Sequence, residues 1–327
     1  MKKSIIAMAV AGALAVPAIA SADATLYGWM TMAVDKEKNE KLHVNSDGNS
    51  PSRIGLRGTA DTGIDGLTAL YQYEFGVNQT NGGRTLNVLD EDGERTGDTV
   101  GGAGSLTTRL ANVGLTGNFG TALFGTQWAP QYSWVTGTTD VMMSSAAYRP
   151  TDLGIYRVNN TAAYVSPDFN GLQLAAAVSA NSDFEDKNAD FYHVAAKYNA
   201  NGLHAAIGYI DFESSDAFGA LSSTTAIALS YDFGPATVAA TYSYLKTDGA
   251  DNYKPWDLAA TYSLTDATTL KATYGDYKNS QKAYAVEVQH DLSNMVNTFV
   301  GYGHANSNAR ENETANSVFS TGLRVRF

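Results

Sequence analysis

Thr224–Phe233 reads TTAIALSYDF, and its side chains divide by parity. Thr225, Ile227, Leu229, Tyr231 and Phe233 share one face, and Thr224, Ala226, Ala228, Ser230 and Asp232 share the other. A period of two describes a strand that meets a different environment on each side. The same division recurs at 255–263, PWDLAATYS, where Trp256, Leu258, Ala260 and Tyr262 oppose Asp257, Ala259, Thr261 and Ser263. At 282–291, KAYAVEVQHD, Tyr284, Val286 and Val288 oppose Ala285, Glu287 and Gln289. It persists to the end, STGLRVRF, where Phe319, Thr321, Leu323, Val325 and Phe327 alternate with Ser320, Gly322, Arg324 and Arg326. Chain ends are usually polar and frayed. An alternating one with a terminal aromatic needs a strand held between two solvents.

Working outward, the pattern predicts sixteen strands, at 25–34, 53–60, 67–77, 107–117, 121–128, 157–166, 172–180, 191–199, 203–211, 224–233, 236–245, 255–263, 268–277, 282–291, 295–304 and 317–327. Every second connection is a short turn: TGIDG, NFG, SPDFNG, NANG, FGP, LTDA and DLSN. The alternate connections, 35–52, 78–106, 129–156, 181–190, 212–223, 246–254, 278–281 and 305–316, are mostly longer and polar. An even number of strands with short turns at one end and long loops at the other is the pattern of an all-β, antiparallel, up-and-down transmembrane barrel, with short periplasmic turns and long extracellular loops. A soluble sandwich of this size would commonly use irregular Greek-key connections. The face opposite the apolar one carries Asp257, Glu287, Gln289, Lys271, Arg324 and Arg326 among Gly, Ala, Ser and Thr, as a wet interior would. Aromatics gather toward the ends of the apolar faces, Tyr231 with Phe233, Tyr242 with Tyr244, and Trp256, Tyr274, Tyr284, Tyr302 and Phe319, as in interfacial girdles. In 108–117, TRLANVGLTG, parity places Asn112 with Leu110, where lipid would penalise the amide and a protein–protein contact would shelter it.

Residues 1–22 stand apart. Lys2 and Lys3 precede an apolar run from Ile5 to Ala20, broken by Pro17, and Ala20-Ser21-Ala22 forms a small-x-small site. The run is shorter than a spanning helix needs. A cleaved export signal is expected at 1–22, leaving a single barrel domain at 23–327. No later stretch approaches the length of a membrane-spanning helix. The chain has no cysteine, hence no disulfide framework and no thiolate nucleophile or metal ligand. Without Lys2 and Lys3, 20 basic residues face 33 acidic ones, which argues against a nucleic-acid partner.

Signals that resemble chemistry are weak. The acidic runs DEDGE at 90–94 and DFEDKNAD at 183–190 lack complete EF-hand spacing and read as solvated loops, with loose divalent-ion binding near lipopolysaccharide phosphates as the alternative. The histidines at 43, 193, 204, 290 and 304 show no metal-ligand spacing, and neither a GxSxG elbow nor a P-loop occurs. A hydrolase built on His290 and nearby Ser293 lacks an identifiable orienting group. An adhesive role would rest on the long acidic loops.

With these features in place, the chain resembles the general porins of Gram-negative outer membranes. The matching pieces are TLYGWM (25–30), SRIGLRG (52–58), GLTALYQYEFG (66–76), TTRLANVGLTGNFGTALFGTQW (107–128), RVNNTAAYVSPDFNGLQL (157–174) and the terminal Phe327. The resemblance implies a homotrimer of sixteen-stranded barrels, each with a water-filled pore for passive diffusion of ions and small hydrophilic solutes. A solute-preferring channel, for a small organic acid or phosphate, is the alternative. It further implies contact with outer-membrane lipid and lipopolysaccharide, no cofactor, and a second long loop that latches onto a neighbouring subunit. The C-terminal segment, Phe319, Leu323, Val325 and Phe327, would be read by the outer-membrane assembly machinery.

By the same resemblance, segment 129–156 folds inward and narrows the pore, with wall arginines set against loop carboxylates. Arg53 matches the arginine of the second strand, Arg57 a basic residue four further on, and Arg109 that of the fourth strand. Arg157 matches a third wall arginine, a role for which Arg149 competes. Parity supports Arg53 and Arg57 independently, since Ile54 and Leu56 take the other face. Asp140 and Asp152 are the only carboxylates of 129–156, so one or both should face the arginines. The segment lacks the Pro-Glu-Phe-Gly-Gly turn frequent in the family. Trp29 and Tyr27 sit at lumen parity on the first strand, where relatives often place a polar residue at the Trp29 position. The sign of ion selectivity stays open: wall arginines favour anions, whereas acidic loops concentrate cations at the mouth.

Overall fold

A sheet immersed in lipid must pair every backbone N–H and C=O, so it has to close on itself. The computed structural model describes residues 23–46, 48–77, 86–89, 95–100, 106–151, 155–180, 189–213, 221–249, 251–277, 280–312 and 315–327. The expected signal at 1–22 and the runs at 90–94 and 183–188 lie outside them. The strands are β1 (Asp23–Glu37), β2 (His43–Asn45), β3 (Arg53–Asp61), β4 (Leu67–Val77), β5 (Leu86–Leu89), β6 (Arg95–Val100), β7 (Leu106–Gly117), β8 (Gly120–Trp128), β9 (Arg157–Val165) and β10 (Leu172–Ser179). They continue with β11 (Phe191–Ala200), β12 (Leu203–Phe212), β13 (Leu221–Asp232), β14 (Ala236–Thr247), β15 (Trp256–Thr265), β16 (Thr268–Asp276), β17 (Lys282–Ser293), β18 (Val296–Ala305) and β19 (Val318–Arg326).

Sixteen of these form an antiparallel barrel in which each strand pairs with its neighbours in sequence, and β1 with β19 closes it. The three others sit in long connections: β2 pairs onto β1, and β5 with β6 makes a separate hairpin. The alternation rule does not reveal them, because three to six residues carry too little of a period. The short turns do what their residues demand. Asn201 and Gly202 both take positive φ, 52° and 82°, and join Ala200 to Leu203 across a tight hairpin. Asn-Gly is the pair that tolerates this twist-matched turn.

The two faces of the opening stretch are in two solvents. Ile227 and Leu229 are 48% and 57% exposed on the outside, whereas Ala226 and Ala228 are buried on the inside. The seam explains the alternating C-terminus. Register runs from Trp29↔Arg326 to Glu37↔Val318, and Phe327 exchanges two 3.1 Å backbone hydrogen bonds with Gly28. The Phe327 ring lies over Gly28, where a Cβ would come within 2.8 Å of the ring and 2.3 Å of the Arg53 carbonyl oxygen. Only glycine admits both neighbours.

One parity expectation is corrected. Register shifts between Glu74↔Leu110 and Phe75↔Thr108, leaving Arg109 as the extra residue of a β-bulge. A bulge displaces the alternation by one position. Leu110 and Asn112 therefore both face inward and are buried, while Val113 and Leu115 are exposed outside. The Asn112 amide donates to the Thr126 carbonyl at 2.9 Å, so no subunit contact is needed to shelter it.

The inner wall is lined by small residues that leave room for segment 129–156. Trp134 and Val135 pack against Ala175, Ala195, Ala206, Ala226 and Ala228. Met142, Ala146 and Tyr148 pack against Ala283, Ala285, Ala305 and Val318. Within the segment, Gln131–Val135 forms a π-helical turn and Thr136–Thr139 a 3-10 turn.

Candidate functional site

A guanidinium is tolerated in a wall of this kind only with acceptors and flat surfaces to lie on. Arg53 on β3 is buried and satisfied locally: its Nη1 is 3.3 Å from Glu74 Oε1, its Nη2 donates to Ser50 Oγ at 2.6 Å, and its Nε donates to the Pro51 carbonyl at 3.2 Å. Arg109, the bulge residue of β7, donates through Nε to the same Glu74 Oε1 at 2.6 Å. Glu74 Oε2 accepts from the Tyr27 hydroxyl at 3.0 Å. One carboxylate on β4 thus ties together the arginines of the strands on either side of it.

Aromatic faces take the rest of the array. The Trp29 ring lies between Arg53, 3.8 Å from its centroid, and Arg324 of β19, 5.1 Å away. Trp128 lies near both Arg109 at 5.8 Å and Arg157 at 5.4 Å. Arg324 Nε donates to Thr31 Oγ1 at 2.8 Å, and Arg326 donates to Asn297 Oδ1. Arg53, Arg109 and Arg157 are therefore brought together, joined by Arg324 and Arg326 across the seam. Among the described residues, five guanidiniums gather here around the Glu74 carboxylate, and the Asp35 carboxylate lies further along β1. Cation–π contact lets the guanidiniums stand side by side with fewer anions.

Arg57 does not join this group. Four residues along β3 from Arg53, about 13 Å at strand rise, it is exposed toward the short-turn end and lies 5.0 Å from the Tyr27 ring. Asp140 does not contact the wall arginines. Its carboxylate takes Arg149 Nη1 at 2.6 Å, the Tyr132 hydroxyl at 2.5 Å and the Asn49 amide at 2.6 Å. Arg149 of the same segment is nearer than any wall arginine and satisfies it first. Asp152 lies outside the described residues.

Buried carboxylates on the wall hold segment 129–156, and one of them, Asp35 on β1, accepts the Ser145 hydroxyl at 2.5 Å. Glu287 on β17 accepts the backbone N–H groups of Met143, at 3.0 and 2.9 Å to its two oxygens, and of Ser144, at 2.8 Å, and pairs with Lys271 at 3.0 Å. Asp257 on β15 accepts the Thr139 hydroxyl at 3.1 Å and the Thr151 hydroxyl at 2.8 Å. Lys271 also donates to the Val141 carbonyl at 2.7 Å. Parity marks Asp257, Glu287 and Lys271 as inward-facing, but nothing in the sequence pairs them with this segment. Glu74 was legible only as an inward residue, sharing parity with Gln72 against Tyr71, Tyr73 and Phe75. Its three partners come from β1, β3 and β7 and depend on register.

The His290–Ser293 pair is not assembled. His290 Nδ1 lies 2.9 Å from Thr268 Oγ1, and Ser293 accepts from the Met295 N–H, so the two do not bond each other. Among the described residues no group of His, Cys, Asp and Glu is arranged to hold a metal.

A family model described as Gram-negative porin matches residues 7–310. The chain belongs to the Gram-negative porin family. The porin is 28% identical to outer membrane porin protein 32 of Delftia acidovorans over 260 residues, 75% of this chain and 66% of that relative. It is 24% identical to the major outer membrane protein P.IB of Neisseria meningitidis serogroup A across the whole of both chains. The porin thus spans about two thirds of the length of the first relative, and 60% of an outer membrane porin of Bordetella pertussis that is 26% identical. These relatives are porins rather than enzymes. The fold is shared with an anion-selective porin from Comamonas acidovorans, at TM-score 0.66 and 20% identity over 94% of this chain and all of that one. It is shared also with Salmonella typhi OmpF in complex with daunomycin, at TM-score 0.71 and 15% identity over 93% and 97%. The porin's place is the outer membrane.

Proposed function

We propose that this porin is a homotrimeric channel for passive diffusion of ions and small hydrophilic solutes, with segment 129–156 as its constriction and Arg53, Arg109 and Arg157 as the charged wall opposite. The observation that carries this reading is the arginine array on the inner face of a closed barrel. A buried charge cluster is expensive, and one that lines a water-filled lumen sets a field across the solute's path. Of the segment's two carboxylates, Asp140 is engaged by Arg149 rather than by the array, and the wall anchor Glu287 is engaged by Lys271 and two backbone N–H groups. Among the described residues of this wall guanidiniums outnumber carboxylates, which favours small anions despite the acidic mouth.

Purified protein in a planar bilayer should show stepwise conductance in triplets, with a reversal potential in a salt gradient of the sign expected for anions. Absence of conductance would sink the channel reading, and a cation-sign potential would sink the assignment of the wall.

The C-terminal residues Phe319, Leu323, Val325 and Phe327 we assign to assembly. The support is the seam itself, where Phe327 bonds Gly28 at both backbone groups and covers it with its ring. Deleting Phe327 should lower the yield of heat-modifiable, folded barrel several-fold while leaving the unit conductance of surviving channels unchanged. Equal yield would refute the assignment.

A further inference from the structure

Arg326 of the seam and Lys271 beside the constriction segment stand at the two ends of one relay of side chains on the inner wall. Arg326 donates to Asn297 Oδ1, and the Asn297 amide donates to Asp291 Oδ1. From the other end, Lys271 Nζ donates to Gln289 Oε1 at 2.7 Å, and the Gln289 amide donates to the same Asp291 Oδ1 at 2.7 Å. Register assembles these groups. Asn297 pairs with Asp291 on one side and with Arg324 on the other, which leaves Arg326 as its diagonal neighbour. Gln289 shares the inward face of β17 with Asp291, two residues away. Asp291 is half-buried and lies four residues along β17 from Glu287, about 13 Å toward the short-turn mouth.

The direction of every link is dictated by the groups themselves. A guanidinium or ammonium has no acceptor and a carboxylate has no donor, so an amide between them must turn its oxygen to the cation and its N–H to the anion. Both amides do so. One carboxylate is thus shared by two cations through two aligned amide dipoles. Among the described residues neither Asp291 nor Arg326 makes a direct ion pair. Lys271 has Glu287 at 3.0 Å and the Val141 carbonyl at 2.7 Å as its other two partners, which uses all three of its N–H groups. On a water-filled path such a relay acts twice. It holds both cationic heads by charge-assisted bonds, and its carboxylate offsets part of the positive field on the short-turn side of the arginines. Hydrogen bonds in series polarise one another, so the strength of the relay depends on every member.

We propose that Asp291 is a specificity-determining residue of the channel, the common counter-charge of Arg326 and Lys271, to which Asn297 and Gln289 connect it. It rests on the channel reading for its effect on permeating ions. Asp291→Asn should raise the anion-to-cation permeability ratio in a planar bilayer about twofold or more in dilute salt, the change expected when one unit charge leaves the lumen wall. Asp291→Glu, which keeps the charge, should stay at the ratio of the unaltered protein. A residue that only supported the fold would not sort its variants by charge. The relay is read separately, without current, from the temperature at which the folded barrel loses its mobility on gels. Asp291→Asn, Asn297→Leu and Gln289→Leu should each lower that temperature. Asp291→Asn combined with either of the others should lower it by less than the sum of the two singles, because both changes break the same relay. An unchanged ratio in Asp291→Asn, or an equal change in Asp291→Glu, would overturn the selectivity role. Additive shifts in a cycle would remove that arm of the relay. Absent conductance in the unaltered protein would count against the channel reading alone, and the melting cycles would still decide the relay.

Discussion

Replacing Arg53 and Arg109 together by alanine is expected to remove most of the anion preference and to lower the anion-to-cation permeability ratio by about fivefold or more in dilute salt. The magnitude follows from Coulomb's law. A unit charge about 8 Å from a passing ion contributes between about 0.5 kcal/mol at the dielectric of water and about 2 kcal/mol at an effective dielectric of about 20. Two such charges at the lower bound change the local concentration of either ion about fivefold, up for anions and down for cations, and screening by salt reduces the product of the two. The change is larger than a simple loss of cations, because Glu74 then faces the lumen with neither guanidinium on its Oε1. A buried carboxylate stripped of its partners is costly and draws water or a proton. The triple variant that adds Glu74→Gln therefore separates the loss of positive charge from exposure of the negative one. Glu74→Gln alone should act in the opposite direction and raise anion preference, since all five guanidiniums remain. Reversal potentials in a salt gradient measure each case. An unchanged potential in the double variant would remove the wall from the selectivity mechanism.

The second large effect is expected from Glu287→Ala. Its carboxylate holds the middle of segment 129–156 through the N–H groups of Met143 and Ser144 and neutralises Lys271. The substitution leaves two backbone donors and an ammonium without their anion, and breaking a buried pair of this kind costs about 3–5 kcal/mol. The barrel itself is carried by its strand pairing, so the loss falls on the segment, which should leave the wall there and give a larger and noisier unit conductance. The Asp257 contacts with Thr139 and Thr151 still tether it on both sides, so the segment should loosen rather than detach. Glu287→Gln, which keeps one acceptor oxygen, should fall between the two. Single-channel recording decides it. Conductance and noise equal to those of the unaltered protein would mean that the segment is held elsewhere.

Much of this architecture was present in one dimension. Alternation at 224–233 and its repeats located all sixteen barrel strands, because each strand separates lipid from water and declares its faces residue by residue. The alternation of short turns with long loops set the topology, and Phe327 marked the seam. The inward parity of Arg53, Asp257, Glu287, Arg324 and Arg326 was equally legible. Counting by twos fails where a bulge intervenes: nothing in TRLANVGL announces that Arg109 is the extra residue, so parity alone places Asn112 on the wrong side.

What the tertiary structure alone decided is which inward groups meet. Glu74 joins Tyr27, Arg53 and Arg109 because β1, β3, β4 and β7 adopt one particular register. Asp140 belongs to Arg149, and Glu287 to an N–H pair 144 and 143 residues away, because segment 129–156 lies against the inner wall rather than above it. A period of two states which solvent a side chain faces. Which partner it finds across the lumen depends on register and on the path of a loop that has no period, and only the closed barrel brings those positions together.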